Sequence, residues 1–438
     1  MTKNKGNSLY EKAKKLIPGG TQLLSKRPEM FLPDIWPSYY SKCKGIKVWD
    51  LDNKSYLDFT INGVGACTLG YADADVDRAV GNAIKSGNMC TLNAPEEVEL
   101  AEFLCEIHPW ATMVRYARGG GEAMAMAVRI VRAYTGKEKI LFCGYHGWHD
   151  WYLSTNLAES SALDGQLLPG LEPAGVPRGL KGTAVPFYYN DINSFMSVLQ
   201  KYEGDIAGVV MEPVRNFWPE KDFIESIRQI TKEKKIPLVF DEVTSGLRMN
   251  NGGIHLKLNV MPDVAVFAKA LGNGYPMAAV IGKTEIMNSA QRSFISSTYW
   301  TDRIGPSAAL ATLKKHKKYN VGAYLVKIGD LVQEGWKMLG NKYAIDIHIS
   351  GISPLSHWQI KCEDEQLVHT YICKRMLEEG FLTSKAFYST YSHTEQDVKK
   401  YLKSLDKVLS EITIHIKNKS IKSIYSGPIA HSSFKRLN

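Results

Sequence analysis

The stretch Asp263-Val-Ala-Val-Phe-Ala-Lys269-Ala-Leu-Gly-Asn-Gly-Tyr-Pro276 sets a lysine at the end of an apolar run and follows it at once with a glycine-rich turn. A short apolar run with β-branched residues, bounded by turn signals, reads as a buried strand. A lysine carried out of such a strand is poorly solvated, so its ammonium should deprotonate easily. Working outward, a second run of this kind, Pro237-Leu-Val-Phe240, ends in Asp241-Glu242-Val243. Further upstream, Gly119-Gly120-Gly121 opens the alanine-rich segment Glu122 to Tyr134, which stops before Thr135-Gly136.

The same alternation extends in both directions. Strand-like runs are Lys139 to Cys143, Ile206 to Met211, Pro237 to Val243, Asp263 to Ala268 and Met277 to Gly282. Between or before them lie helix-like stretches at Ala74 to Ser86, Pro95 to His108, Glu122 to Tyr134 and Lys221 to Lys235. Strands alternating with helices of this length predict an α/β fold with a mostly parallel sheet covered on both faces. Residues 1–65 precede it and contain a hairpin from Lys44 to Thr60 around Asp50-Leu-Asp-Asn53. After Gly305 come helices at Pro306 to Tyr319 and Val321 to Leu339, then two short strands around Ile345 to Ile360. The expected organisation is a large domain over 66–305 and a smaller α+β lobe built from 1–65 and 306–438.

The composition is that of a folded globular chain: of 438 residues, 44% are hydrophobic and 23% charged. No apolar run is long enough for a membrane-spanning helix, and the polar start Met1-Thr-Lys-Asn-Lys lacks a secretion signal, so a cytoplasmic location is expected. Seven cysteines, with no Cys-x-x-Cys pair, read as reduced thiols rather than disulfides or a zinc site. The net charge of +9 owes much to lysines after Gly380, a solvated helix face and tail rather than a nucleic-acid surface. His146-x-x-His149-Asp150 has metal-like spacing, but no further ligand cluster supports it, and a hydrogen-bonding loop is the plainer reading.

Three features carry chemistry. A neutral Lys269 amine would attack a carbonyl and form a Schiff base. Asp241 ends a run too apolar for a carboxylate unless a cation meets it, such as a protonated pyridine nitrogen. Glu242 is the alternative, but strand neighbours face opposite ways, and Val243 shares the face of Asp241. Glycines opening a helix expose its first amides to a phosphate, although a triple glycine alone also serves a plain chain reversal. Together these are the parts that pyridoxal 5′-phosphate requires.

With those residues in view the chain resembles the class III, fold-type I pyridoxal-phosphate aminotransferases, on the glutamate-1-semialdehyde aminomutase-like branch. The resemblance runs from Leu16-Ile-Pro-Gly-Gly20 to Ser392-His-Thr-Glu395. It is most specific at Tyr145-His-Gly147, Met211-Glu-Pro213, Phe240-Asp-Glu-Val243, Thr244-Ser-Gly-Leu-Arg248 and Ala268-Lys-Ala-Leu-Gly-Asn-Gly274. It implies a mostly parallel, seven-stranded central sheet flanked by helices, with a smaller α+β lobe. By position it makes Lys269 the Schiff-base lysine, Asp241 the partner of the pyridine nitrogen, Val243 the residue beneath the ring and Tyr145 the aromatic above it. Gly120 and Gly121 fall in the phosphate cup. Thr298, in Ser296-Ser-Thr-Tyr299, matches a threonine that reaches the phosphate from the neighbouring subunit, which implies a homodimer with shared active sites.

Two departures separate this chain from the family pattern. The cup usually reads Ser-Gly-Thr-Glu-Ala but here is Gly119-Gly-Gly-Glu-Ala123, leaving backbone amides to hold the phosphate. The aminomutase's substrate segment carries Asn-Ser-Pro and an arginine, where this chain has Thr21-Gln-Leu-Leu-Ser-Lys-Arg27; its acidic residue is also missing from Thr383-Ser-Lys-Ala-Phe-Tyr388. The expected activity is therefore amino transfer from an amine or amino-acid donor to an aldehyde or ketone acceptor. Lys26, Arg27, Trp148 and Glu212 are candidate substrate contacts, and the loop aromatics suit a sugar-like acceptor. An intramolecular aminomutase is the alternative, and a non-catalytic cofactor-binding protein a more distant one.

Overall fold

The computed structural model describes residues 4–166, 169–220 and 222–433. Residues 74–322 form one compact unit, and the described parts of 1–73 and 323–438 form the other. The boundaries thus fall at 73/74 and 322/323 rather than at 65/66 and 305/306. The reason lies in helix Ile304–Tyr319, whose Leu310 and Leu313 join Leu100 and Leu104 in one buried cluster. That apolar face commits the helix to the larger unit.

The larger unit is built on a seven-stranded sheet. Its order is Met113–Ala117, Ala278–Gly282, Val264–Phe267, Leu238–Asp241, Ile206–Met211, Lys139–Cys143 and Ala184–Pro186. Neighbours from Val264–Phe267 to Ala184–Pro186 pair in parallel, whereas Ala278–Gly282 runs antiparallel to both its neighbours. The strand runs Ile206–Met211, Leu238–Asp241 and Val264–Phe267 are buried throughout, as a sheet covered on both faces demands. Helix Gly120–Thr135 packs Met124, Ala127, Val128 and Val131 into the cluster that contains Val210, Val239 and Val266. The strands Met113–Ala117 and Ala184–Pro186 escape a reading by hydrophobic runs. The first places Arg115 and Tyr116 among its apolar residues, and the second is only three residues long.

Helix boundaries follow the capping chemistry. Ala74–Ser86 keeps its predicted limits. Helix Gly120–Thr135 starts two residues earlier than predicted, because Gly119 is extended (φ −127°, ψ 148°) and Gly120 already takes helical geometry. Gly136 closes it at φ 69°. The helix predicted from Lys221 runs from Phe223 to Glu233, and Lys221 itself lies outside the described residues.

In the smaller unit, the predicted hairpin pairs Lys47–Asp50 with Ser55–Phe59. A further strand, Tyr40–Lys44, extends it, and Phe381–Thr383 joins Ser55–Phe59 in parallel from the far end of the chain. A three-stranded sheet combines Ile347–Ser350, Leu355–Ile360 and Ala386–Tyr388. Phe59 stacks on Tyr401 at 4.4 Å within the core that also holds Trp336 and Trp358. Among the described residues no helix is long and apolar enough to cross a membrane.

Candidate active site

Parallel strands end on one edge of their sheet, and that edge collects the chemistry here. Four adjacent strands deliver Lys269 after Val264–Phe267, Asp241 at the end of Leu238–Asp241, Glu212 after Ile206–Met211, and Tyr145 and His146 after Lys139–Cys143. Met113–Ala117 ends on the same edge and leads into Gly119-Gly120-Gly121.

Lys269 opens a single 3-10 turn, Lys269–Gly272, with φ at +44°. A side-chain-bearing residue in the left-handed region costs on the order of 1 kcal/mol, and such conformations gather at functional sites. Its Nζ donates to Thr244 Oγ1 at 2.8 Å. Burial, then the nearby positive charge of Arg215, pulls its pKa down to about 7, while Glu212 pulls the other way. The backbone position predicted from sequence thus delivers a lysine that is substantially neutral near pH 7.

Asp241 is buried, with one carboxylate oxygen 2.8 Å from His146 Nδ1 and the other accepting the Val243 amide at 3.0 Å. His146 Nε2 lies 3.1 Å from the Cys143 carbonyl, which only accepts, so Nε2 carries a proton. The Nδ1 contact fixes how the Asp241 carboxylate is turned. Glu242 faces the opposite side of the sheet, as strand alternation requires. It meets His255 Nδ1 at 2.8 Å and takes the Ser245 hydroxyl at 2.6 Å. His255 Nε2 accepts from Trp110 Nε1 at 3.0 Å, so Nδ1 is its donor to Glu242. Glu242 belongs to a buried structural network, and Asp241 alone of the two faces Tyr145-His146.

Tyr145 donates its amide to Glu212 Oε2 at 3.0 Å, and Glu212 pairs with Arg215 at 3.0 Å. The Arg215 guanidinium lies 5.9 Å from the Tyr145 ring centre. Gly144 has φ +111°, and a Cβ there would sit 2.8 Å from Glu212 Oε2, so glycine is what lets the carboxylate tuck beneath the loop. Burial raises the Tyr145 phenol above its ordinary pKa, so it stays protonated.

The glycine cup is tight. A Cβ on Gly120 would come 2.9 Å from Val243 Cγ1, one on Gly121 3.1 Å from His149 Nδ1, and one on Gly147 2.9 Å from Gly121 Cα. Gly120, Gly121 and Glu122 are first-turn residues, so their amides have no acceptor within the helix. Glu122 instead takes the amides of Arg118 (2.9 Å) and Gly119 (3.2 Å). An amine for an aldehyde, a buried carboxylate for a ring nitrogen, and a helix end stripped of side chains for a phosphate stand together. These residues fit the pyridoxal phosphate expected from the sequence.

Other predicted residues stand further out. Trp148 is 70% exposed, and its ring is tilted 34° to that of His149 with centres 4.5 Å apart. Thr298 is exposed and opens the turn Thr298–Thr301, its carbonyl taking the Thr301 hydroxyl at 2.8 Å. That segment is fastened by Arg118, which bonds the Trp300 carbonyl at 2.8 Å and pairs with Asp302. Lys26 and Arg27 belong to the smaller unit, where Lys26 is exposed and Arg27 lies against Gly19. Sequence reasoning gave no part in the cofactor site to Thr244, Arg215 or His149. Thr244 and His149 stood inside quoted motifs, and Arg215 follows Met211-Glu-Pro213 closely enough to have been found by asking what neutralises Glu212.

Residues 34–409 match the family model described as aminotransferase class-III. The chain is 28% identical over 418 residues to the 3-aminobutyryl-CoA aminotransferase of Cloacimonas acidaminovorans, covering 92% of this chain and 96% of that protein. Over 321 residues it is 36% identical to the glutamate-1-semialdehyde 2,1-aminomutase of Nitrosopumilus maritimus, covering 71% and 73%. The solved structure of the FumI protein of Sphingopyxis sp. MTA144 superposes with a TM-score of 0.85 at 22% identity, covering 94% of this chain and 97% of that one. At that identity the superposition speaks for the shared fold.

Proposed function

This chain belongs to the class-III aminotransferases, and from that premise we propose that Lys269 is the residue that carries its cofactor and moves the proton during amino transfer. The cofactor is pyridoxal 5′-phosphate, and the reaction passes an amino group from an amino donor to a carbonyl acceptor. When bound, the cofactor supplies an aldehyde that takes up the amino group and a ring that accepts electrons.

The protein's own part follows from its residues. Lys269 Nζ, with its pKa brought to about 7 so that much of it is neutral there, would hold the cofactor covalently until the donor displaces it. The freed amine would then carry the proton from the donor's Cα across to the cofactor's C4′ as general acid–base, with Thr244 Oγ1, 2.8 Å away, fixing its position. Asp241, backed by His146, supports the protonated ring nitrogen. Tyr145 and Val243 fix the ring plane, and the amides of Gly120 and Gly121 hold the phosphate. Glu212 is assigned to holding the Tyr145 turn and Arg215 rather than to binding substrate. Trp148, exposed on the loop after Lys139–Cys143, is read as a contact for a polyhydroxylated, sugar-like acceptor. The exposed turn at Thr298, beside Phe294 (90% exposed) and Tyr299 (73% exposed), supports a homodimer in which Thr298 serves the neighbouring subunit's phosphate.

The observation that carries this reading is the Lys269 amine, held on Thr244 with its pKa brought to about 7 on the edge where Asp241 also ends. Borohydride reduction of the yellow holoenzyme should fix the cofactor to Lys269 irreversibly. Peptide mapping that finds the label on another lysine ends the assignment. The relative named as an aminomutase favours a second reading, return of the amino group to the same molecule. Turnover of a single substrate without an acceptor separates the two.

A further inference from the structure

The cup that faces the cofactor's phosphate has no side chain of its own. Gly119, Gly120 and Gly121 bring no hydroxyl, and the helix end offers only backbone amides. Into that gap comes a ring from a different strand end. His149 follows Lys139–Cys143 by six residues and rests against Gly121, so that a Cβ on Gly121 would lie 3.1 Å from Nδ1 and 3.3 Å from Cε1. The ring edge occupies the space that a side chain at residue 121 would otherwise fill. Among the described residues, Nδ1 of His149 is buried and meets no hydrogen-bond partner. A buried polar nitrogen without a partner costs free energy that a bound ligand removes. The neighbouring Trp148 ring is tilted 34° to it, with centres 4.5 Å apart.

We propose that His149 is a phosphate-binding residue of this enzyme: its Nδ1–H supplies the side-chain donor that the three glycines lack, and Gly121 is glycine because the imidazole occupies that space. The proposal rests on the reading that the cofactor's phosphate sits at the start of helix Gly120–Thr135. Burial lowers the His149 pKa, so the ring is neutral and donates from one nitrogen only. The role is binding, with no part in the proton transfers at Lys269.

The test measures dissociation constants of the purified enzyme for pyridoxal phosphate and, in parallel, for pyridoxal, which has the same ring and aldehyde but no phosphate. His149→Ala should weaken pyridoxal phosphate roughly ten- to a hundredfold and leave pyridoxal unchanged. His149→Asn, which keeps an N–H donor, should recover much of the loss and guards against a folding defect. Gly121→Thr alone should weaken binding, because its Cβ meets the ring at 3.1 Å. Placed in the His149→Ala background, the same threonine should strengthen binding, because its hydroxyl then stands at the helix end with room to spare. That reversal of sign is the signature of two side chains competing for one place. If His149→Ala weakens both ligands equally, the residue is structural; if it weakens neither, the proposal is wrong. The underlying reading has its own control in Gly119→Asp, a good helix cap that sets a carboxylate at the cup. Unchanged affinity for pyridoxal phosphate in that variant would place the phosphate elsewhere, whatever His149 does.

Discussion

Lys269 has to be neutral to attack a carbonyl and still be able to take up a proton afterwards, and burial and its charged neighbours decide whether it is. Burial disfavours its charge most, Arg215 adds repulsion, and Glu212 restores part of what they remove. Because the folded pKa stands at about 7, the reactive amine is present above that pH and lost below it. The rate at which apoenzyme takes up pyridoxal phosphate covalently should therefore rise with pH through a midpoint near 7, followed by the absorbance of the bound cofactor. Arg215→Gln removes the repulsion and leaves Glu212 without its partner, and both changes favour the ammonium. The midpoint should move upward, with little change for an exposed charge such as Lys257→Gln. A midpoint that stays in place would show that burial alone sets this lysine. Lys269→Ala should abolish turnover while leaving the cofactor bound without a covalent link.

One level up, the strand and loop elements explain which parts of the site were legible in the sequence. Asp241 and Glu242 were separable by alternation alone, because a strand cannot turn both side chains the same way. The apolar runs ending in Lys269, Asp241 and Cys143 announced buried parallel strands, and the sheet's edge brings those ends together. What the sequence withheld are contacts between elements far apart in the chain. His146 on Asp241 spans 95 residues and Lys269 on Thr244 spans 25, and no local pattern encodes either. The edge strand Met113–Ala117 was hidden for a related reason, since its half-exposed residues lack the apolar run of the central strands. The loop after Lys139–Cys143 depends on such a long-range fit. Gly147 has φ +102°, and any Cβ there would meet the Gly121 backbone at 2.9 Å. Gly147→Ala should cost on the order of 2 kcal/mol from strain and displacement of the cup, seen as a lower urea midpoint. Gly81→Ala, on a helix surface with nothing within 4 Å, is the matching control and should be neutral or mildly stabilising.

At the scale of the whole molecule, cofactor chemistry and substrate choice separate, because the residues that fit pyridoxal phosphate all stand in the unit of residues 74–322. If Thr298 serves a neighbouring subunit, Thr298→Ala should weaken cofactor retention about ten- to a hundredfold. A fully active monomer in sedimentation would remove that role. Substrate choice is the harder question, since the relatives include proteins named as an aminotransferase and as an aminomutase. The aminomutase pattern needs a donor that orients the carboxylate of glutamate-1-semialdehyde. In the matching stretch, Thr21-Gln-Leu-Leu-Ser-Lys-Arg27, this chain has Leu23 and Leu24 where short polar residues are expected. Arg27 is turned onto Gly19 within its own unit, and Lys26 is exposed. A lysine does not reproduce the bidentate grip of an arginine on a carboxylate. A displacement of about one ångström costs on the order of a hundredfold in rate, so the semialdehyde should be a very poor substrate. Incubation of the holoenzyme with it, following 5-aminolevulinate, should give slight turnover at most, while an added amino donor and a separate aldehyde or ketone acceptor sustain the reaction. Turnover matching that of a dedicated aminomutase would mean that residues outside this stretch orient the carboxylate, and intramolecular transfer would then become the primary reading.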